Sequence, residues 1–171
     1  LTETLTAVIP TTGARARIVD PPAFAGGAGL RIRGSSSLGF PKKQYFLETW
    51  DDTRDDLSVS LLGMPTQSDW ILYAPYPDKS LMRDVLAYEL SNQLGHYASR
   101  TRFVEVFVND GAGRLDRSNY AGVYVLEEKI KIGKHRVNID RLDASDDKPP
   151  QITGGYVLKV DPDGCGSRSA L

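Results

Sequence analysis

Cysteine is almost absent from the 171 residues: Cys165 stands alone, so no disulfide can close within the chain and no cysteine cluster can hold zinc. Two histidines, His96 and His135, are too few for a histidine-rich metal site. Nothing approaches the roughly 18 consecutive apolar residues of a membrane-spanning helix. Neither sign of charge dominates. The formal net charge of −1 gives no bulk attraction to nucleic acid or an anionic membrane. The opening LTETLTAVIP has no basic start and no long apolar core, so it does not read as an intact signal peptide. A leader already removed is compatible with it.

What is present is ordinary for a soluble globular domain: 40% hydrophobic and 25% charged residues, in a chain long enough to bury a core. Charge collects locally, acidic in WDDTRDD and mostly basic in EEKIKIGKHR. Residues 1–28 are rich in Thr, Pro, Gly and Ala, with one alternating run, ARARIVD, and then PPAFAGGAG, which reads as a loop. LRIRG and KKQYFLETW read as the two strands of a hairpin. DDTRDDLSVSLLGMPTQSD reads as a surface connection with one short element and WILYAPY as a strand stopped by Pro75 and Pro77.

KSLMRDVLAYELSNQLG carries the clearest helical pattern, with Asp78 as N-cap, Gly95 just past the end, and an apolar stripe through Met82, Val85, Leu86 and Leu90. TRFVEVFVND and YAGVYVLEEKI follow as an antiparallel pair, and GGYVLKVD reads as a last strand. The fold class this implies is α+β, an antiparallel sheet with one main inserted helix. Hairpin, strand, helix, strand, strand is also the element order of a protein-kinase N-lobe.

Four segments in order sharpen that reading: RIRGSSSLGFPKKQYFLE, DWILYAPYPDKSLMRDVLAYELSNQLG, NYAGVYVLEEKI and TGGYVLKVD. Together they resemble the CotH-type kinases, a family of spore-coat and surface-associated atypical protein kinases. The likeness lies in an Arg-Gly-Asn-Ser-Ser loop followed by Lys-Lys, a helix opening on Arg-Asn or Arg-Asp, and a Tyr-x-Gly-x-Tyr-x-Leu-x-Glu strand. Ser35 stands where the family usually has Asn, and Asp84 where Asn is commoner. The resemblance implies an N-terminal strand and loop region over 1–28, a nucleotide-binding lobe over 29–161, and the start of a second lobe or tail over 162–171. It implies ATP with Mg²⁺ or Mn²⁺ as cofactors and protein substrates phosphorylated on serine-type hydroxyls. A secreted, cell-surface or spore-associated location also follows from it.

The family's catalytic carboxylates lie in the second lobe, so no catalytic residue is expected in this chain, and the chain alone is expected to transfer no phosphate. Two other readings stand beside this one: a non-catalytic surface or coat module that keeps the fold, and an unrelated α+β carbohydrate-binding domain.

Phosphoryl transfer is largely positioning and charge neutralisation, which calls for cations beside a small-residue loop. Lys43 and Lys42 follow such a loop, in which Gly34, Ser35 and Ser36 offer free backbone geometry and hydroxyl donors. Continued strand alternation would place Lys43 with Tyr45 and Leu47, facing inward. The plainer reading is a hairpin with two exposed lysines. Glu89 falls inside the helix's apolar stripe, where a carboxylate needs a partner, and a sheet lysine would supply it; otherwise the helix is rotated and Glu89 meets solvent.

Arg83, a cation in the first helical turn, is placed to hold the loop or a phosphate, or else to pair with Asp78. Glu128 ends the strand that would pass the adenine, which its backbone could contact; a plain strand-end glutamate is the alternative. Asp161 is a weak metal candidate in a run that first reads as a turn, and WDDTRDD reads as a solvated acidic loop.

Overall fold

A computed structural model describes residues 2–9, 15–17, 19–109 and 113–154. The chain divides into two compact units, Leu1–Lys129 and Ile130–Leu171. In the first, strands β1 (Thr2–Val8), β2 (Phe24–Arg33), β3 (Gln44–Thr49), β4 (Asp69–Tyr73), β5 (Thr101–Phe107) and β6 (Tyr120–Glu128) accompany one helix, α1 (Arg83–Gln93). The strands form one sheet in the order β1-β2-β3-β4-β6-β5, antiparallel throughout. The α+β reading holds, as do the β2–β3 hairpin and the β5–β6 pair.

PPAFAGGAG is not a loop. Phe24 opens β2, and the glycines pair through their backbone with β1. A glycine run has no side-chain alternation to betray a strand, and here the missing side chains are used. A Cβ at Gly29 would stand 2.3 Å from the Trp50 ring.

Alternation gives the sheet two faces of opposite character. Leu30, Leu47 and Trp70 are cross-strand partners on one face. With Phe24, Ala28, Leu61, Met64 and Leu126 they form the core. Leu61 and Met64 come from the segment expected to be a surface connection. That expectation fails because the segment is stitched to the sheet. The Thr49 hydroxyl donates to the Leu57 carbonyl at 2.6 Å, and Val59 and Gln67 exchange two backbone bonds of 3.0 Å. Each fully buried Leu or Met side chain contributes about 1.5–3 kcal/mol, so this irregular segment is a structural layer.

The opposite face carries Arg31, Phe46, Ile71, Glu127 and Thr101 in one cross-strand row, and Arg33, Gln44, Tyr73, Val125 and Phe103 in the next. Helix α1 lies over the second row, where Asp84 faces the Tyr73 phenol and Tyr88 senses Glu127 and Arg33. The helix is shorter than its periodicity suggested. Leu81 takes a φ of 61°, breaking the run before Met82. Asp78 caps from outside by accepting from the backbone N–H of Ser80 (3.0 Å) and Arg83 (2.9 Å).

At the far end Gly95 has φ 82°, and its N–H and that of His96 donate to Asn92 and Ser91, the double bond of a Schellman stop. The apolar stripe faces outward: Met82, Leu86 and Leu90 are each about half exposed, at 55, 55 and 51%. The sheet beneath is charged, so the helix turns its polar side, Asp84 and Tyr88, toward it.

In the second unit, a turn joins Ile132 to Val137 and a second one is held by Asp143, whose side chain accepts from the Ser145 amide at 2.8 Å. The expected strand GGYVLKVD, with Lys159 and Asp161, lies outside the described residues.

Candidate functional site

The β2–β3 loop is a 3₁₀ turn over Ser36–Gly39, closed by Leu38 N–H to Ser35 O and Phe40 N–H to Ser37 O, both 3.1 Å. Gly34 is required there: its φ is 130°, and a Cβ would meet Ser37 Oγ at 2.2 Å. Ser35 and Ser36 remain exposed. Phe40 stacks on Tyr76 with ring centroids 5.3 Å apart, so the loop rests on the segment leading into α1. That segment carries Lys79, whose ammonium lies 4.7 Å from the Tyr76 ring, and Arg83, whose side chain is 82% exposed while its Nε stands 3.5 Å from Asp78. Gly34, Ser35, Ser36, Lys42, Lys43 and Arg83 therefore gather at one end of the sheet.

The two lysines do not behave as strand alternation predicted. β3 begins only at Gln44, and Pro41–Lys42 form a bend, so the period-two rule does not extend back to them. Lys42 turns toward β6: its ammonium donates to the Val123 carbonyl and lies 4.4 Å from the Tyr124 ring centroid. Burial depresses its pKa. Lys43 instead reaches back to the loop and donates to the Leu38 carbonyl at 2.6 Å.

Neither lysine meets Glu89. That residue is exposed on α1 and accepts from Gln93 Nε2 at 2.9 Å, so the inward-facing ion pair is corrected to an intrahelical contact. Glu128 has a fully buried side chain paired with Arg100, Nη1 to Oε1 3.0 Å, and it also accepts from the Arg100 amide at 3.1 Å. It is thus neither a plain strand-end glutamate nor a side chain free for a base.

In WDDTRDD, Asp51 accepts from Thr53 N–H, Thr53 Oγ1 and Asp55 N–H, which holds its carboxyl below the usual range. Among the described residues no three His, Cys, Asp or Glu side chains converge as metal ligands do.

The sheet face under α1 holds groups that no local pattern had singled out. Phe46 is flanked by three cations, with Arg31 at 5.0 Å from its centroid, Arg33 at 5.1 Å and Lys129 at 5.6 Å. Lys129 is paired with Asp69 at 3.0 Å. Arg33 donates to Gln44 Oε1 at 3.3 Å and also lies within electrostatic reach of the Glu127 carboxylate.

Beside them Glu127 is 6% exposed, between Arg33 and Asp84. Burial pushes its carboxyl up to about 7; Arg33 pulls the other way, and Asp84 adds to the rise. Glu48, cross-strand from Asp69, is also raised, by burial first and then by Asp56. Strand alternation could have put Arg31, Arg33 and Phe46 on one face, but not what would lie over it.

The family model described as CotH kinase protein matches residues 30–170. The chain belongs to the CotH kinase family. The match takes in the hydroxyl loop, both lysines, α1 and β6, and so covers every motif on which the sequence resemblance rested. No curated protein and no solved structure matches the chain.

Proposed function

We propose that this member of the CotH kinase family supplies the nucleotide-binding half of an ATP-dependent protein kinase acting on serine-type hydroxyls of partner proteins. An antiparallel sheet with one inserted helix supports this reading, since hairpin, strand, helix, strand, strand is the element order expected of a kinase N-lobe. The observation that carries the reading is the loop end of the sheet. There a glycine-dependent hydroxyl loop is fastened by Phe40 on Tyr76 to the start of α1, with Lys43, Lys79 and Arg83 close by.

Exposed hydroxyls and cations together can accept a polyphosphate, since charge neutralisation is what phosphoryl transfer asks of a protein. Ser35, Ser36, Lys43 and Arg83 are assigned to the phosphates. Lys42, already committed to Val123 and Tyr124, anchors the loop exit to β6. For a divalent metal the fit is absent among the described residues, so no metal-dependent step is assigned to them.

The test is transfer of label from γ-labelled ATP to a serine-rich acceptor, with Mg²⁺ or Mn²⁺ supplied. Phosphoserine in the acceptor is expected from the parent kinase, reduced in its Ser35→Ala/Ser36→Ala/Arg83→Ala variant, and none from the 171-residue chain alone. No label and no ATP binding by the protein would refute it.

A further inference from the structure

Helix α1 turns its most apolar side to solvent. Met82, Leu86, Leu90 and Leu94 follow at four-residue spacing and are 55, 55, 51 and 77% exposed. Side chains four apart stand in one oblique row, so these four make a raised ridge about 18 Å long. The next row, one residue further along the chain, runs Arg83, Ala87, Ser91 and Gly95. After Arg83 its members are small, and a Cβ at Gly95 would meet nothing within 4 Å. Ridge and groove therefore lie side by side on one exposed surface.

That surface fits a copy of itself. Rows at four-residue spacing on one helix pack into the grooves between such rows on a facing helix, and a twofold axis lets each ridge fill the other's groove. Ala87 is exposed beside Leu86 and Leu90, and its small side chain lets the two backbones come close at the crossing point.

Charge then selects the direction. The exposed charged residues of α1 are Arg83, its side chain 82% exposed, and Glu89, held toward Gln93 by a 2.9 Å bond. Asp84 takes no part, because it faces the Tyr73 phenol beneath the helix. A parallel pair would bring Arg83 toward Arg83 and Glu89 toward Glu89. An antiparallel pair crossing between Leu86 and Leu90 turns each Arg83 toward Glu89 of the other copy, and it also opposes the two helix dipoles.

We propose that this chain associates with a second copy as a twofold, antiparallel α1–α1 dimer, the leucine ridge of each copy seated in the groove beside Ala87 of the other. One short helix from each copy places the contact below the roughly 1,200 Å² of lasting complexes, so the dimer is weak and reverses on dilution. In the dilute solutions used to follow unfolding the chain is monomeric, and changes on the ridge leave its stability alone. Association needs no nucleotide, so its failure would leave the ATP reading standing.

The experiment is sedimentation equilibrium of the 171-residue chain over a wide range of concentration, with the fold of each variant checked by circular dichroism. Arg83 is assigned above to phosphates, so nucleotide is left out. Wild type is expected to show a monomer–dimer equilibrium, weakened about tenfold or more by Leu90→Gln. Ala87→Leu is the sharper variant. It adds apolar surface but fills the groove, so it should weaken the dimer, whereas unspecific stickiness would grow. Arg83→Glu and Glu89→Arg should each weaken association alone, and the Arg83→Glu/Glu89→Arg double variant should restore it.

A chain that stays monomeric at every concentration would leave the ridge to another partner and overturn the dimer. Stronger association in Ala87→Leu, or an open series of larger oligomers, would overturn it too. Single charge reversals without effect, or a double variant weaker than either, would contradict the antiparallel seating.

Discussion

Arg100 donates to Glu128 through its backbone N–H at 3.1 Å and through its guanidinium Nη1 to both carboxylate oxygens at 3.0 Å, and the acceptor has no exposed side-chain surface. The pair ties the residue before β5 to the end of β6. A buried charge that loses its partner costs more than the pair itself contributes. Arg100→Ala is therefore expected to lower stability by about 3–5 kcal/mol. Replacing both residues by apolar ones should cost less than that single change. Urea unfolding of the single and double variants checks both statements. An Arg100→Ala chain as stable as wild type would mean that Glu128 is satisfied without it.

The two lysines divide along structural lines. Lys42→Met loses a hydrogen bond and a cation–π contact and should destabilise by about 1–2 kcal/mol. Lys43→Met should stay within about 0.5 kcal/mol of wild type, because its one contact is exposed, while weakening an ATP analogue. Melts and analogue titrations of both variants read the split. An equal loss of stability at the two sites would contradict the placement of Lys42 against β6.

Glu127 should make stability depend on pH. Its folded value of about 7 lies above the ordinary carboxylate range, first because of burial, with Asp84 adding and Arg33 opposing. The groups facing it are Arg33 from β2, and Asp84 and the Tyr88 phenol from α1; its charge also reaches the Tyr73 phenol of β4. In the unfolded chain the carboxyl ionises near pH 4.5, so between there and pH 7 the folded state holds the extra proton. Stability from this group therefore falls as pH rises through that window and is lowest above pH 7. The full effect is on the order of 3 kcal/mol. Glu127→Gln should flatten the slope between pH 4.5 and 7 and raise stability at pH 8. Unfolding curves with unchanged slope in the variant would rule this out.

Helix α1 gives a prediction opposite to its sequence pattern. Leu86→Gln and Leu90→Gln remove side chains that are about half exposed and should shift stability by no more than about 0.5 kcal/mol each. Tyr88, on the sheet side, should matter more. Losses above about 2 kcal/mol at Leu86 or Leu90 would show that the stripe is covered.

These cases mark where the sequence could be read and where it could not. Periodicity identified the hairpin, α1 and the β5–β6 pair, because alternation and the 3.6-residue repeat are local properties. Met82, Leu86 and Leu90 do share a face, as the repeat requires; which way that face points depends on what lies opposite, and a charged sheet turned it outward. Lys43 was misplaced because alternation holds only inside a strand, and β3 starts one residue later. Leu61 and Met64 belong to a core layer without any period, so nothing local announced them. The catalytically suggestive letters of WDDTRDD are spent on their own turn. Glu127 hid in a Glu-Glu pair that ends a strand, where one carboxylate faces Arg100's end of the core and the other the face beneath α1.

The most direct measurement of the central claim is a titration of the 171-residue chain with a fluorescent ATP analogue, followed by competition with unlabelled ATP. Saturable binding that ATP displaces is expected, weakened in a Ser35→Ala/Ser36→Ala/Arg83→Ala variant. A chain that gives no saturable signal, or a signal ATP does not displace, would contradict it.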